Sequence, residues 1–333
     1  MRPKFSVVIP VYNRREFLLQ AIDSCLRQTT PSIEIIVSDD RSSEDLCSAV
    51  GSFRDPRVHY YRNEIRLGAA GNHQQAVSRA TGSHVLTLNS DDFLLPECLE
   101  VAGRALDERT SAAAAYFSTT YIVGSTIQGS HPMPAVPFAD HSTLLENPWL
   151  EDYHGTSPTC CLFRKAAFDG IGGYRPGLRF AYDWDLYMRF MKIGGGVVFV
   201  PEVLSVYRKH SEQMVNNRSI DGLRDVLDLW RLPEYSHWSS SSIASLVLTH
   251  CSNTIRKGGN LIQVLEELRR HDLRRKLLSG MPAAFFRKAC LHGKDNVDLR
   301  ANYYRSPNGI ARAIRTARAI LRVPNDFSDR AQS

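Results

Sequence analysis

The chain predicts an α/β fold with a mostly parallel central sheet, and three observations carry that expectation. Short apolar runs rich in β-branched residues recur along the first ninety positions, one-sided helical spacing fills the gaps between them, and acidic or amide residues follow the ends of the runs. Residues 5–11 (Phe-Ser-Val-Val-Ile-Pro-Val) are apolar almost without a break, as a strand buried on both faces would be. Leu18, Ala21, Ile22, Cys25 and Leu26 then repeat at helical spacing on one face, and Pro31 marks the turn. Residues 33–37 form a second buried strand and 58–61 a third, weaker one; 69–80 reads as a helix and 85–88 as a fourth strand. Strand, helix, strand in this rhythm is the pattern of parallel strands joined by right-handed crossovers.

In sheets of this kind ligands sit beyond the carboxyl ends of the strands. That rule singles out Asn13, the pair Asp39–Asp40 and the pair Asp91–Asp92, which all lie at such ends. A dinucleotide-binding domain needs a glycine-rich turn after its first strand, and here Pro10-Val11-Tyr12-Asn13-Arg14 contains no glycine. A GxxxxGK[ST] loop is also absent, as is the glycine-rich basic loop expected of a nucleotidyltransferase. Any phosphate held here must be neutralised in another way, and a divalent metal on carboxylates is the natural one.

Composition adds limits. With 333 residues, 43% hydrophobic and 23% charged, the chain is an ordinary globular sequence long enough for one large domain and a smaller one. No run approaches the roughly 18 to 20 apolar residues needed to span a bilayer, and Met1-Arg2-Pro3-Lys4 does not begin a secretory signal. Seven scattered cysteines without a CxxC pair are expected to be reduced thiols of a cytoplasmic protein. From Arg218 onward 20 Lys+Arg face 11 Asp+Glu, a net +9, which leaves 21 against 24, a net −3, in the front of the chain. A basic back half is drawn to phosphates or to an anionic membrane surface, but no nucleic-acid recognition motif accompanies it.

Residues 7–14, 35–43 and 88–92, followed by 168–174, 182–186 and 207–210, together resemble family 2 inverting glycosyltransferases of the GT-A fold, in order and at plausible spacing over about residues 4 to 215. The resemblance implies a sugar-nucleotide donor, Mn²⁺ or Mg²⁺, and an acceptor hydroxyl on a saccharide, a lipid-linked sugar or another alcohol. It places Pro10, Tyr12, Asn13, Asp40 and Asp91 at the nucleotide. Asp40 would accept the imide N–H of uracil or thymine, since an ionised carboxylate only accepts, and Asp91 would contact the ribose. Asp92 would ligate the metal, with His210 near it, and Arg208 and Lys209 would face phosphate. Relatives often carry aspartate where this chain has Asn89. Asp183 resembles the catalytic base, with Asp185 as its rival, and Trp184, Asp185 and Gly173 fall at the donor sugar or acceptor. Either member of Asp39–Asp40 would alternatively cap a helix starting near Ser43, and Asp183 would cap the helix that follows it.

The expected organisation is a GT-A domain over 1–215 and a basic, mainly helical accessory region over 216–333. Apolar residues at three- and four-residue spacing predict helices within 223–232 and 261–278, and Ile310, Ala313, Ile314, Ala317, Ile320 and Leu321 alternate with arginines as an amphipathic helix that would either lie on an anionic membrane surface or pack on its own domain with a solvated arginine face. The protein would then be cytoplasmic, peripheral at the inner face of the cell membrane. A sugar-nucleotide-binding relative without catalysis and an adaptor acting through the basic tail are the competing readings.

Overall fold

The computed structural model describes residues 3–235 except 132, 135, 147–157, 193–194, 211–212, 214–218 and 230. Among these, residues 3–176 with 186–210 form one compact unit, and 177–185 with the described part of 211–235 form another.

The first unit is organised on a ten-stranded sheet. Its strands are β1 Phe5–Val11, β2 Ile33–Asp39, β3 Val58–Arg62, β4 His84–Thr87, β5 Phe93–Leu94, β6 Ala114–Val123, β7 Thr126–His131, β8 Phe138–Ala139, β9 Cys161–Arg164 and β10 Val197–Lys209. They run in the order β3-β2-β1-β4-β9-β6-β10-β5, with β7 beside β6 and β8 beside β10. The four strands read from the sequence are parallel and adjacent: Phe5 pairs with Ile33 and His84, and Val11 with Asp39. β1 and β2 are buried along their whole length, while β3, the sheet edge, is half-exposed, which explains its weaker apolar signal. Beyond β4 the sheet becomes mixed. β9 lies antiparallel to both β4 and β6, and β6 and β10 are parallel again. An antiparallel strand needs no helical crossover, so the helix–strand rhythm does not announce it. β10 runs on through Pro201 and shifts register around it, where a missing N–H is tolerated at an irregularity.

The helices are α1 Arg15–Leu26, α2 Leu46–Gly51, α3 Gly68–Ser78, α4 Cys98–Glu108, α5 His141–Glu146, α6 Lys165–Gly170, α7 Tyr182–Lys192 and α8 Ser219–Leu229. α1 turns Leu18, Leu19, Ala21, Ile22 and Cys25 inward, as its spacing predicts. Each buried leucine or isoleucine among them contributes about 1.5–3 kcal/mol, so the strand ends that carry the polar residues are held by a deep core. Phe163 stacks on Phe168 at 5.0 Å and meets Phe190 at 5.7 Å. Cys25, Cys98, Cys160 and Cys161 are buried thiols outside any disulfide, and Cys47 is an exposed one.

In the second unit, Asp225 of α8 accepts the backbone N–H groups of Arg179, Phe180 and Ala181 at 2.8, 2.6 and 2.9 Å. Leu223, Val226, Leu227 and Leu229 are its buried apolar residues on α8. α8 covers the start of the expected accessory region; the expected helices at 261–278 and 310–322 lie outside the described residues. No helix among the described residues is long and apolar enough to cross a membrane.

Candidate active site

The turn after β1 is built from two consecutive non-glycine residues in the left-handed region, Asn13 at φ 59° and Arg14 at φ 65°. Partners from the loop after β2 hold them there. The Asn13 N–H donates to Ser42 Oγ at 2.7 Å, and Asn13 Oδ1 accepts from the Ser43 N–H at 2.9 Å. Glu44 accepts the Arg14 and Arg15 N–H groups at 2.8 and 3.0 Å, supplying from a distance the cap that α1 lacks. Pro10 lies inside β1 opposite Ser38. Tyr12 is 40% exposed, and the Arg66 guanidinium stands 3.8 Å from its ring centroid. The ends of β1 and β2 are therefore one tied structure.

Asp39 and Asp40 are both buried. Asp39 Oδ1 accepts from the Ser42 N–H at 2.8 Å, and its Oδ2 from Tyr60 Oη at 2.6 Å. Asp40 takes the Leu67 N–H at 2.7 Å and Asn63 Nδ2 at 3.2 Å on Oδ1, and the Gly68 N–H at 2.9 Å on Oδ2. It thus caps α3, while the helix near Ser43 starts at Leu46 and is capped by Asp45, whose Oδ1 accepts the Ser48 N–H. The capping function expected of this pair is real but belongs to a helix 27 residues further on.

The pair after β4 divides differently. Asp92 is fully buried: its Oδ2 accepts from Thr159 Oγ1 at 2.6 Å and Asn89 Nδ2 at 3.1 Å, and its Oδ1 from the Arg208 N–H at 2.9 Å. Burial, helped by the neighbouring charge of Asp91, pushes the Asp92 carboxyl up to about 8. Asp91 faces basic side chains instead. Arg14 Nη1 donates to its Oδ2 at 2.6 Å, and His210 Nε2 lies 3.0 Å from the same oxygen. The structure brings Asp91, and not Asp92, to His210. Asn89 acts here as a donor to Asp92. Arg208, expected at phosphate, turns inward: Nε donates to the Asp91 carbonyl at 2.9 Å and Nη2 to Gln20 at 2.6 Å. Lys209 Nζ stands 4.2 Å from the Tyr121 ring centroid. Among the described residues no three His, Cys, Asp or Glu side chains form a ready metal cage.

Gly173 sits at φ 70°, where a Cβ would run into the side-chain amide of Gln74, and that amide accepts the Tyr174 N–H at 2.9 Å. The positive φ is what favours glycine at this position, since the Gln74 amide stands at the end of a flexible side chain.

In the second unit Asp183 is half-buried in the first turn of α7 and accepts the Trp184 N–H at 2.7 Å. Desolvation pushes its carboxyl up to about 7. Asp225, rather than Asp183, takes the N–H groups that lead into the helix. Asp185 is fully buried and accepts from Tyr235 Oη at 2.7 Å, and Trp184, 7% exposed, stacks on the Tyr235 ring at 5.9 Å. Both therefore turn into their own unit. Sequence reasoning missed Thr159, Asp225 and the pairing of Arg14. Only the last left a local signal, an arginine where a helix start favours Asn, Asp, Ser or Thr.

Residues 6–172 match the model of the family described as Glycosyl transferase family 2. The chain is 26% identical over 218 residues to the WcaA glycosyl transferase of Escherichia coli strain K12, assigned to colanic acid biosynthesis, a span of 65% of this chain and 76% of the relative. Among solved structures it is similar to S. aureus TarS in complex with UDP, at TM-score 0.61 and 19% identity, covering 84% of this chain and 89% of that one. It is also similar to the mannosyltransferase PcManGT of Pyrobaculum calidifontis in complex with GDP-Man and Mn²⁺, at TM-score 0.53 and 17% identity, covering 98% and 87%.

Proposed function

The chain belongs to glycosyl transferase family 2, and from that premise we propose that it moves a sugar from a nucleotide-diphosphate sugar, a UDP-sugar foremost, to an acceptor hydroxyl with inversion at the anomeric carbon. The observation that carries the donor side is the Asp91 carboxylate, whose Oδ2 meets a cationic and an imidazole nitrogen at the end of a buried strand. Asp91 and His210 are the residues that would hold Mn²⁺ or Mg²⁺. A carboxylate and an imidazole fit such an ion when phosphate oxygens and water complete its shell, in keeping with the lack of a protein-only cage among the described residues. When bound, the ion would stabilise the charge that gathers on the departing diphosphate. Asp92 supports this arrangement from beneath, its oxygens taken up by Thr159, Asn89 and the Arg208 backbone.

Tyr12 offers an exposed ring to the base, and Pro10 and Asn13 shape the turn below it. Asp40 spends three acceptor positions on Leu67, Gly68 and Asn63, and a carboxylate has about four, so it keeps capacity for an imide proton. Asp183 is the proposed general base: a carboxyl near 7 is ionised in part at neutral pH and basic enough to take the acceptor's proton. The inward turn of Asp185 and Trp184 favours Asp183 for that role, and Gly173 shapes a turn on the sugar side. WcaA's assignment to colanic acid biosynthesis supports an acceptor in polysaccharide synthesis, a saccharide or a lipid-linked sugar, handled in the cytoplasm at the inner face of the membrane.

UDP release from a panel of UDP-sugars with Mn²⁺, compared between wild type and Asp183→Asn, tests the reading. Turnover is expected to fall by about 10²–10⁴-fold with UDP affinity retained. Equal turnover in the two proteins removes Asp183 from the mechanism.

A further inference from the structure

We propose that the Arg14 guanidinium is a built-in counter-ion of Asp91, which holds a divalent cation off the free protein and moves to phosphate when a nucleoside diphosphate arrives, so that metal and nucleotide bind cooperatively. The inference rests on the reading of Asp91 and His210 as the metal-facing pair.

Arg14 Nη1 lies 2.6 Å from Asp91 Oδ2, and His210 Nε2 lies 3.0 Å from the same oxygen. The guanidinium therefore occupies the approach a cation would take to that carboxylate. The two side chains are only 25% and 12% exposed, so solvent screens the pair, and its repulsion of a further cation, weakly.

Local preferences all argue against arginine at this position. Arg14 is the N-cap of α1 and makes no side-chain cap bond there. That position favours Asn, Asp, Ser or Thr. A cation at a helix N-terminus opposes the helix dipole, and the left-handed backbone at φ 65° suits glycine or asparagine. A residue placed against three local rules is explained by a tertiary partner, and Asp91 is the partner the geometry supplies.

Asp91 itself is fixed: its carbonyl accepts Arg208 Nε at 2.9 Å, and its neighbour Asp92 is bonded on both oxygens. Arg14 reaches it on a long stem. A guanidinium matches phosphate in bidentate geometry, so a diphosphate offers it a better anion. Transfer of Arg14 to phosphate uncovers the Asp91 oxygen for the cation, and linkage requires the cation to favour the diphosphate by the same factor.

The test is Mn²⁺ binding, read by electron paramagnetic resonance of free Mn²⁺, to wild type, Arg14→Asn and Arg14→Lys with and without UDP. Asparagine tolerates the left-handed backbone and caps a helix, so R14N is expected to fold with unchanged or raised Tm. In the absence of UDP it should bind Mn²⁺ at least tenfold more tightly than wild type, and the tightening caused by UDP should shrink by the same factor, with R14K close to wild type. Equal Mn²⁺ affinity and equal coupling in R14N and wild type would overturn the counter-ion role while leaving the metal reading intact. Absence of Mn²⁺ binding in every protein, even with UDP, would remove the metal reading and this inference together.

Discussion

Two aspartate pairs end two strands that flank β1, one after β2 and one after β4, and their surroundings give them opposite work. At Asp39–Asp40 the neighbouring backbone is rich in donors: Ser42, Leu67 and Gly68 N–H groups converge on the two carboxylates, and α3 begins where Asp40 points. At Asp91–Asp92 one carboxylate is satisfied inward by Thr159, Asn89 and the Arg208 N–H, and the other meets Arg14 and His210. Position past a strand end is shared, so it does not by itself make a ligand site. The local supply of neutral donors, backbone and side chain together, decides whether a carboxylate is consumed by the fold or left facing basic side chains.

The comparison is most sharply broken by replacing one outward and one inward member. Asp91→Ala removes the anion at the proposed metal position, and transfer is expected to fall by about 10²–10³-fold, the size seen for deleting one electrostatic contact to a transition state. Its Tm should fall less than that of Asp40→Ala, because Arg14, a quarter exposed at the end of a long side chain, can turn to water once the carboxylate is gone. Asp40→Ala strands the donors of Leu67, Gly68 and Asn63 near a helix start. At roughly 1–3 kcal/mol per buried unsatisfied group, partly relieved by water, we expect about 3 kcal/mol of lost stability. That corresponds to a Tm fall of about 6–12 °C for a unit of this size. Thermal unfolding and turnover measured on both variants check the contrast. Similar Tm losses in the two would show that the pairs do not differ as described.

Asp183 sharpens the picture through pH. Its folded carboxyl is raised from 3.8 to about 7 by desolvation. A base works deprotonated, so kcat/KM should rise about tenfold per pH unit up to near pH 7 and then level off. The stability effect runs the other way. Between about pH 4 and pH 7 the folded state holds a proton that the unfolded state has lost, so stability falls as pH rises through that window. Asp183→Asn lacks that term, and its advantage over wild type should grow across the window to something on the order of 2 kcal/mol, given the half-exposed side chain. Denaturant titrations at pH 5 and pH 8 check this; an unchanged difference between the two proteins assigns the pH dependence to another group.

The parallel half of the fold was legible because its signals are local. β1 and β2 are continuous apolar runs buried on both faces, and their carboxyl ends carry the aspartates the topology rule selects. β6 was not legible: it opens at Ala114, inside the alanine run 112–115 whose residues favour helix, and enters the sheet beside the antiparallel β9. Around the aspartates the residue types were legible, but their hydrogen-bond partners were not. Thr159 reaches Asp92 across 67 positions and Asp225 reaches Ala181 across 44, and no spacing pattern records such pairs. The same holds for Asp40, whose role depends on where α3 begins.

The smallest expected effect probes the support beneath Asp91. Thr159 Oγ1 donates to Asp92 Oδ2 at 2.6 Å and accepts the Asn89 N–H at 3.3 Å. Thr159→Val keeps the shape and removes both bonds, while Asn89 Nδ2 and the Arg208 N–H remain on Asp92. Loss of one neutral donor to a buried carboxylate costs about 1–2 kcal/mol, so a Tm fall of about 2–8 °C is expected. If Asp92 acts only by holding Asp91 in place, two of its three bonds should still do so, and turnover with saturating Mn²⁺ should stay within about fivefold of wild type, well short of the loss expected for an electrostatic contact at the reacting centre. A loss as large as that of Asp91→Ala, without a matching loss of stability, would mean that Asp92 itself meets the ion or the substrate, and that the inward and outward roles assigned to this pair must be exchanged.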